Sequence, residues 1–224
     1  MIRYNMRIIF GGKFIYFILA ALGFFLLLGT IRALDDRNME MADVYGLLLF
    51  PAILLVFYPS VFSIQNDADQ KTMEVIFGIP DYRYKVWLVR LIIVFVIVFF
   101  LLIPFALIAH YALISIPLFE IIAQLMIIVL LSSTLGFCLS TIVKNGNAAA
   151  VVMIIIGLVF LVLADSLEYS KWNIFLNPFK TPEDISDIIW METIRQNRII
   201  MGISSIVFLL LGLLNLQNRE KFLR

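Results

Sequence analysis

This chain is poor in the residues that most enzymes rely on. Its 224 residues include one cysteine and one histidine. A single thiol excludes an internal disulfide and a cysteine metal cluster, and Cys138 falls within an apolar run, where packing is its role. With His110 alone, no G-x-S-x-G, no H-E-x-x-H and no carboxylate pair within the apolar runs, the parts of an intramembrane serine, zinc or aspartyl protease are missing. Charge is also scarce: 15% of residues are charged and the net charge is +1, which gives no global attraction to nucleic acid. Nor is there a phosphate cradle. Gly11-Gly12-Lys13 is followed by Phe14 rather than Ser or Thr, and Arg7 stands where the first glycine of a P-loop would be. Catalytic residues, metal ligands and a resident cofactor are therefore not expected.

Apolar residues are abundant: 62% of the chain is hydrophobic and the mean hydropathy is +1.02, the composition of a protein whose solvent is mostly lipid. Six intervals contain no Asp, Glu, Lys or Arg: Phe14–Ile31, Val44–Asn66, Leu91–Phe119, Ile121–Val143, Asn145–Ala164 and Ile199–Asn218. Each is near or above the roughly 20 residues that span hydrocarbon as a helix. The expected fold is an all-α membrane protein of six transmembrane helices in a single domain over residues 1–224. The first span follows Arg3, Arg7 and Lys13 without a small-residue cleavage site after it, so it reads as retained rather than as a signal peptide.

The distribution of basic residues sets the expected orientation, because Lys and Arg beside spans stay on the cytoplasmic side. With the N-terminus inside, eleven basic residues are cytoplasmic: Arg3, Arg7, Lys13, Lys71, Arg83, Lys85, Arg90, Lys144, Arg219, Lys221 and Arg224. Six lie outside, namely Arg32, Arg37, Lys171, Lys180, Arg195 and Arg198, together with eleven of the sixteen acids. Both termini are then cytoplasmic. Ile2, Met6 and Ile9 with Arg3 and Arg7 fit either a short interfacial helix or a plain positive flank.

Two connections carry helix signals. In the cytoplasmic stretch Gln65–Lys85, Asp67 and Asp69 stand where carboxylates favour a helix start, and Met73, Ile76 and Phe77 recur at helical spacing until Gly78 and Pro80. In the outer segment Asp165–Arg198, Thr181 reads as N-cap and Pro182 as the first helical residue. Ile185, Ile188 and Ile189 follow on one face, as in a helix lying at the outer surface. No ionisable residue falls near a midplane. His110, Glu120 and Asp165 lie toward outer ends, and Arg90 is placed to snorkel to cytoplasmic phosphates. That pattern disfavours proton-coupled transport. Ser132, Gly136 and Ser140 repeat every four residues and Ala148-Ala149-Ala150 opens the fifth span, which permits close helix contact. Pro51, Pro59 and Pro104 fall inside spans, where each removes a backbone hydrogen bond.

The stretch Asp69–Arg90, DQKTMEVIFGIPDYRYKVWLVR, resembles the cytoplasmic coupling segment of ABC-2 type transporter permeases. Thr72, Glu74, Pro80 and Arg83 fit the family's places, and Arg90 opens span three where the family often has Lys. Lys71 stands where glycine is usual. Leu139–Ala150 and Asn177-Pro178-Phe179 are similar to the family as well, so that with the six-span layout the resemblance covers nearly the whole chain. It implies a permease subunit that couples to separate ABC ATPase subunits and pairs with a second permease, the same or a related chain, in the lipid of a cell membrane. It also implies export of an amphiphilic, peptide, drug or lipid-like substrate. On this reading Met73, Ile76 and Phe77 form an apolar knob for the ATPase, Asp69, Thr72 and Glu74 add polar contacts, and Pro80 and Arg83 stiffen the return to span three. The Ala20, Ala21, Gly23 region and Ala148–Ala164 resemble the permease dimer seam. A secondary transporter, a channel or an anchoring subunit is the alternative reading.

Overall fold

The structure, a computed structural model, describes residues 13–34, 39–143 and 145–217. The apolar stripe Ile2, Met6, Ile9 and the C-terminal basic residues Arg219, Lys221 and Arg224 lie outside the described residues, as do Asp35, Asp36, Arg37 and Lys144. Among the described residues the fold is all helical, without strands.

Six helices are long and apolar enough to cross a membrane. They are α1 (Phe14–Ala33), α2 (Met41–Val61), α5 (Val89–Ala112), α6 (Leu118–Val143), α7 (Gly146–Ala164) and α8 (Asp187–Asn215). Two short helices, α3 (Ser63–Asp69) and α4 (Met73–Phe77), lie between α2 and α5, and a π-helical turn, Arg83–Leu88, leads directly into α5. In lipid a helix satisfies every backbone polar group internally, which is why runs with no amphipathic stripe still fold this way. The protein is a multi-pass membrane protein.

Helices α2 and α6 form the centre. Helix α6 packs against α2, α5, α7 and α8, while α2 packs against α1, α5 and α6. In their most apolar stretches, 67% of residues are buried in α2 and α6, against 17% in α1 and α7. The outer faces of α1 and α7 are thus left to lipid or to another chain. Between these two helices, over a floor of α2 and α6, runs an apolar groove of about 480 Å³ lined by Phe17, Phe50, Phe57, Met153 and Phe160. Gly136 permits the close approach at the centre, since a Cβ there would stand 3.1 Å from Ser60 Cβ and Val61 Cγ2.

Local polar contacts fix the helix ends. Glu40 and Asp43 form a capping box at the start of α2, and Asp43 also accepts from Arg32 at 3.1 Å, tying it to the end of α1. His110 holds the link after α5, its Nδ1 accepting the Ile116 N–H at 3.0 Å. Asn145 caps α7. Pro51, Pro59 and Pro104 are accommodated within continuous helices.

The last span departs from expectation. Thr181 and Pro182 are irregular and Glu183 and Asp184 form a turn, in place of the expected first helical turn; the helix begins at Asp187, with Ser186 in extended geometry before it, and continues unbroken to Asn215. No separate surface helix forms between Ala164 and Asp187. The reason lies in the loop before it: Asn197 donates to the carbonyls of Lys171 and Asn173 at 2.9 and 2.8 Å, and Asn177 donates to Ala42 O at 2.8 Å. Segment 165–186 is thereby stitched onto α8 and the start of α2, leaving α8 to project along its own axis.

Candidate functional site

The segment joining α2 to α5 carries the residues singled out by the sequence. It is two short helices rather than one. Helix α3 ends at Asp69, the chain passes through Lys71 at φ 55°, and α4 begins at Met73. A left-handed turn costs a side chain with a Cβ, so glycine is the favoured residue at position 71 and Lys71 bears the strain. Thr72 secures the turn, its N–H and Oγ1 both donating to Asp67 O at 3.0 and 3.1 Å. A second left-handed residue, Asp81 at φ 56°, follows Pro80 and starts the π-helical turn, its carbonyl accepting from the N–H groups of Tyr84 and Lys85.

Asp67 is not a helix-start residue. It sits in the last turns of α3, fully buried, and faces Arg90 of α5, itself 2% exposed. Arg90 Nη1 donates to Asp67 Oδ2 at 2.7 Å and to Ser63 O at 3.2 Å, Nη2 donates to Asp67 Oδ1 at 3.2 Å, and the guanidinium lies 4.7 Å from the Trp87 ring centre. Burial pushes the Asp67 carboxyl above its ordinary range, and the Arg90 charge pulls against that shift. Arg90 therefore does not snorkel to lipid phosphates: a bidentate carboxylate inside the chain is the nearer partner.

Met73, Ile76 and Phe77 are not an exposed knob. They are buried at 5%, 2% and 4% exposure in a cluster with Ile64, Tyr82, Trp87, Phe137, Leu213 and Leu216. Helical spacing identifies an apolar face; here the ends of α6 and α8 claim it. Phe77 meets Tyr82 edge to face at 5.0 Å, and the Tyr82 hydroxyl donates to Leu216 O at the end of α8.

What remains outward is a mixed-charge surface. Asp69 and Glu74 are exposed, Thr72 and Arg83 are half-buried, and Pro80 is exposed at the following turn. Lys71, Asp81 and Lys85 are exposed too. Between these charges stand Val75, 72% exposed, and Tyr84, 51% exposed, with Arg83 stacked 5.5 Å from the Tyr84 ring centre. Neither Val75 nor Tyr84 belongs to the periodic apolar set; Tyr84 is marked in the sequence by standing between Arg83 and Lys85, whereas Val75 is hidden within the apolar run that continues through Ile76 and Phe77.

The other two stretches with family resemblance adjoin this framework. The turn after α6 presses against α3: Gly146 N–H donates to Gln65 Oε1 at 2.6 Å, and a Cβ at Gly146 would meet that oxygen at 2.5 Å. At the opposite end of the bundle Asn177 anchors its loop to α2, and Phe179 packs edge to face on Tyr45 at 5.6 Å. No protein-family model matches the chain, and no curated protein or solved structure matches it.

Proposed function

We propose that this chain is the permease subunit of an ABC-2 type transporter, forming the membrane pathway and driven by separate ATPase subunits. The observation that carries the reading is the surface of 69–85, where exposed Val75 and Tyr84 stand among charges of both signs on a firmly tied base. A partner that delivers force needs such a base. The Asp67–Arg90 pair joins the segment to α5, and the Tyr82–Leu216 hydrogen bond and the shared apolar cluster join it to α6 and α8. Force applied at Glu74 or Val75 then reaches three spans without first compressing a loose loop. Asp69, Glu74, Pro80 and Arg83 serve as contact residues, with Thr72 holding the turn. Met73, Ile76 and Phe77 transmit the load inward.

In this reading the 63–88 end of the bundle and both termini are cytoplasmic, as the asymmetry of Lys and Arg favours. A second permease, the same or a related chain, covers the outward faces of α1 and α7, whose low burial supports such a seam. The substrate is an exported amphiphile, and the location is a cell membrane such as the bacterial inner membrane.

Mild-detergent purification of the tagged chain from its native membrane tests the proposal. Recovery of a stoichiometric soluble protein with a Walker A motif, whose ATPase activity rises with a candidate amphiphile, is the expected result. Repeated recovery of the chain alone would overturn it in favour of a channel or an anchor.

A further inference from the structure

At the end of the bundle opposite the 63–88 segment, a cavity of about 570 Å³ opens between the start of α6, the turn at 178–181 and the first three turns of α8. Arg198 lies at its inner end, half-buried, and carries an unbalanced charge: among the described residues no carboxylate is within salt-bridge distance of it. Its partners are neutral. Nε donates to Gln124 Oε1 at 2.8 Å and Nη1 to Asn197 Oδ1 at 3.0 Å, with Met201 sulfur at 3.5 Å. Nη2 has only long contacts, to Tyr45 OH and Leu176 O at 3.4 Å each. The guanidinium is thus oriented on two sides and weakly engaged on the third.

Trp190 lines this cavity at 3% exposure. A half-buried cation without a counter-ion, loosely held on one side, calls for an oxyanion. Phe179, Met191 and Ile194 supply apolar walls, and Met191 is 68% exposed at the mouth beside Ile188 and Ile189, 82% and 61% exposed. The other charges of the lining are Glu120, Asp187 and Arg195; Arg195 is paired with Glu192, and the two carboxylates oppose an anion at the rim. We propose that this cavity binds the phosphate or carboxylate head group of an amphiphile, with Arg198 as its cationic contact and the apolar part lying along Met191 and Ile194. Placing the site on the outer face rests on the orientation given under the proposed function; the binding itself does not.

Dodecyl phosphate is the probe, added to the full chain in a neutral maltoside detergent, with inorganic phosphate as the free-anion arm. Binding is read by tryptophan fluorescence in a Trp172→Phe background, which leaves Trp190 and the buried Trp87 of the chain's three tryptophans. Saturable binding is expected, weakened roughly tenfold or more by Arg198→Gln and largely retained by Arg198→Lys. Glu120→Gln removes an exposed opposing charge without touching the packing, and binding should tighten by about two- to fivefold. Equal affinity in the original chain, Arg198→Gln and Glu120→Gln would overturn the site. Inorganic phosphate binding as well as dodecyl phosphate would overturn the amphiphile. Because the assay uses the chain alone, its failure leaves the permease reading intact, and absence of an ATPase partner leaves this site intact.

Discussion

Asp67 and Arg90, 23 residues apart in sequence, face each other in a two-pronged pair at 2.7 and 3.2 Å, with both side chains shut away from solvent. A buried pair of this kind contributes register more than net stability, because desolvating two charges offsets most of their attraction. Removing one partner is another matter. Asp67→Asn leaves Arg90 without its carboxylate and should destabilise the chain by about 3–5 kcal/mol. The double variant Asp67→Leu/Arg90→Met should recover much of that loss. Thermal unfolding in detergent checks both; a double variant as unstable as the two single losses combined would show that the pair has no such coupling.

The revised contact surface changes which substitutions separate partner binding from folding. Glu74→Arg and Val75→Asp alter exposed side chains, so the chain should remain inserted while the ATPase partner proposed above no longer co-purifies with it. Phe77→Asp, by contrast, places a charge in the cluster around Trp87 and should lower the amount of folded chain itself. Co-purification and membrane abundance, measured side by side, distinguish these outcomes. Retention of the ATPase by both surface variants would remove the assignment.

Gly212 faces Phe137, and a Cβ there would come within 2.6 Å of the ring. Gly212→Ala should therefore cost about 1–3 kcal/mol through overpacking between α6 and α8. Phe137→Leu should relieve part of that penalty in the double variant. Gly157→Ala, where a Cβ meets nothing within 4 Å, is the control and should be neutral in the same melting experiment.

Orientation can be read by thiol labelling, since the chain's single cysteine, Cys138, is buried. Asp187→Cys should react with a membrane-impermeant maleimide in intact cells, and Asp81→Cys only after permeabilisation. Labelling of Asp81→Cys in intact cells would reverse the topology.

The spans were legible because charge-free runs of this length have few other uses. Their ends were less so. Helix α8 starts twelve residues before the charge-free run at Ile199, because charged residues such as Glu192, Arg195 and Arg198 end an apolar run without ending a helix. Thr181 and Pro182 have the residue types of a helix start, but the pull of Asn173 and Asn177 on the neighbouring loop prevails over that local preference. Met73, Ile76 and Phe77 were recognisable as one face, yet spacing within a short helix carries no information about what covers it. The Asp67–Arg90 pairing was hidden for a similar reason. Two ionisable residues flanking a loop look like separate interfacial groups until the turn at Lys71 and Thr72 brings α3 back onto α5.

Helix α8 has no proline between Asp187 and Asn215, and only Gly202 and Gly212 interrupt its side chains. Arg198 touches one end of the bundle through Gln124 and Leu176, and Asn215 and Leu216 touch the other through Thr141 O and the Tyr82 hydroxyl. At about 1.5 Å per residue these attachment points are roughly 26 Å apart along a rod with no joint. Tension at either end is shared at once by the whole length, so the opposite faces of this protein are mechanically neighbours although chemically remote.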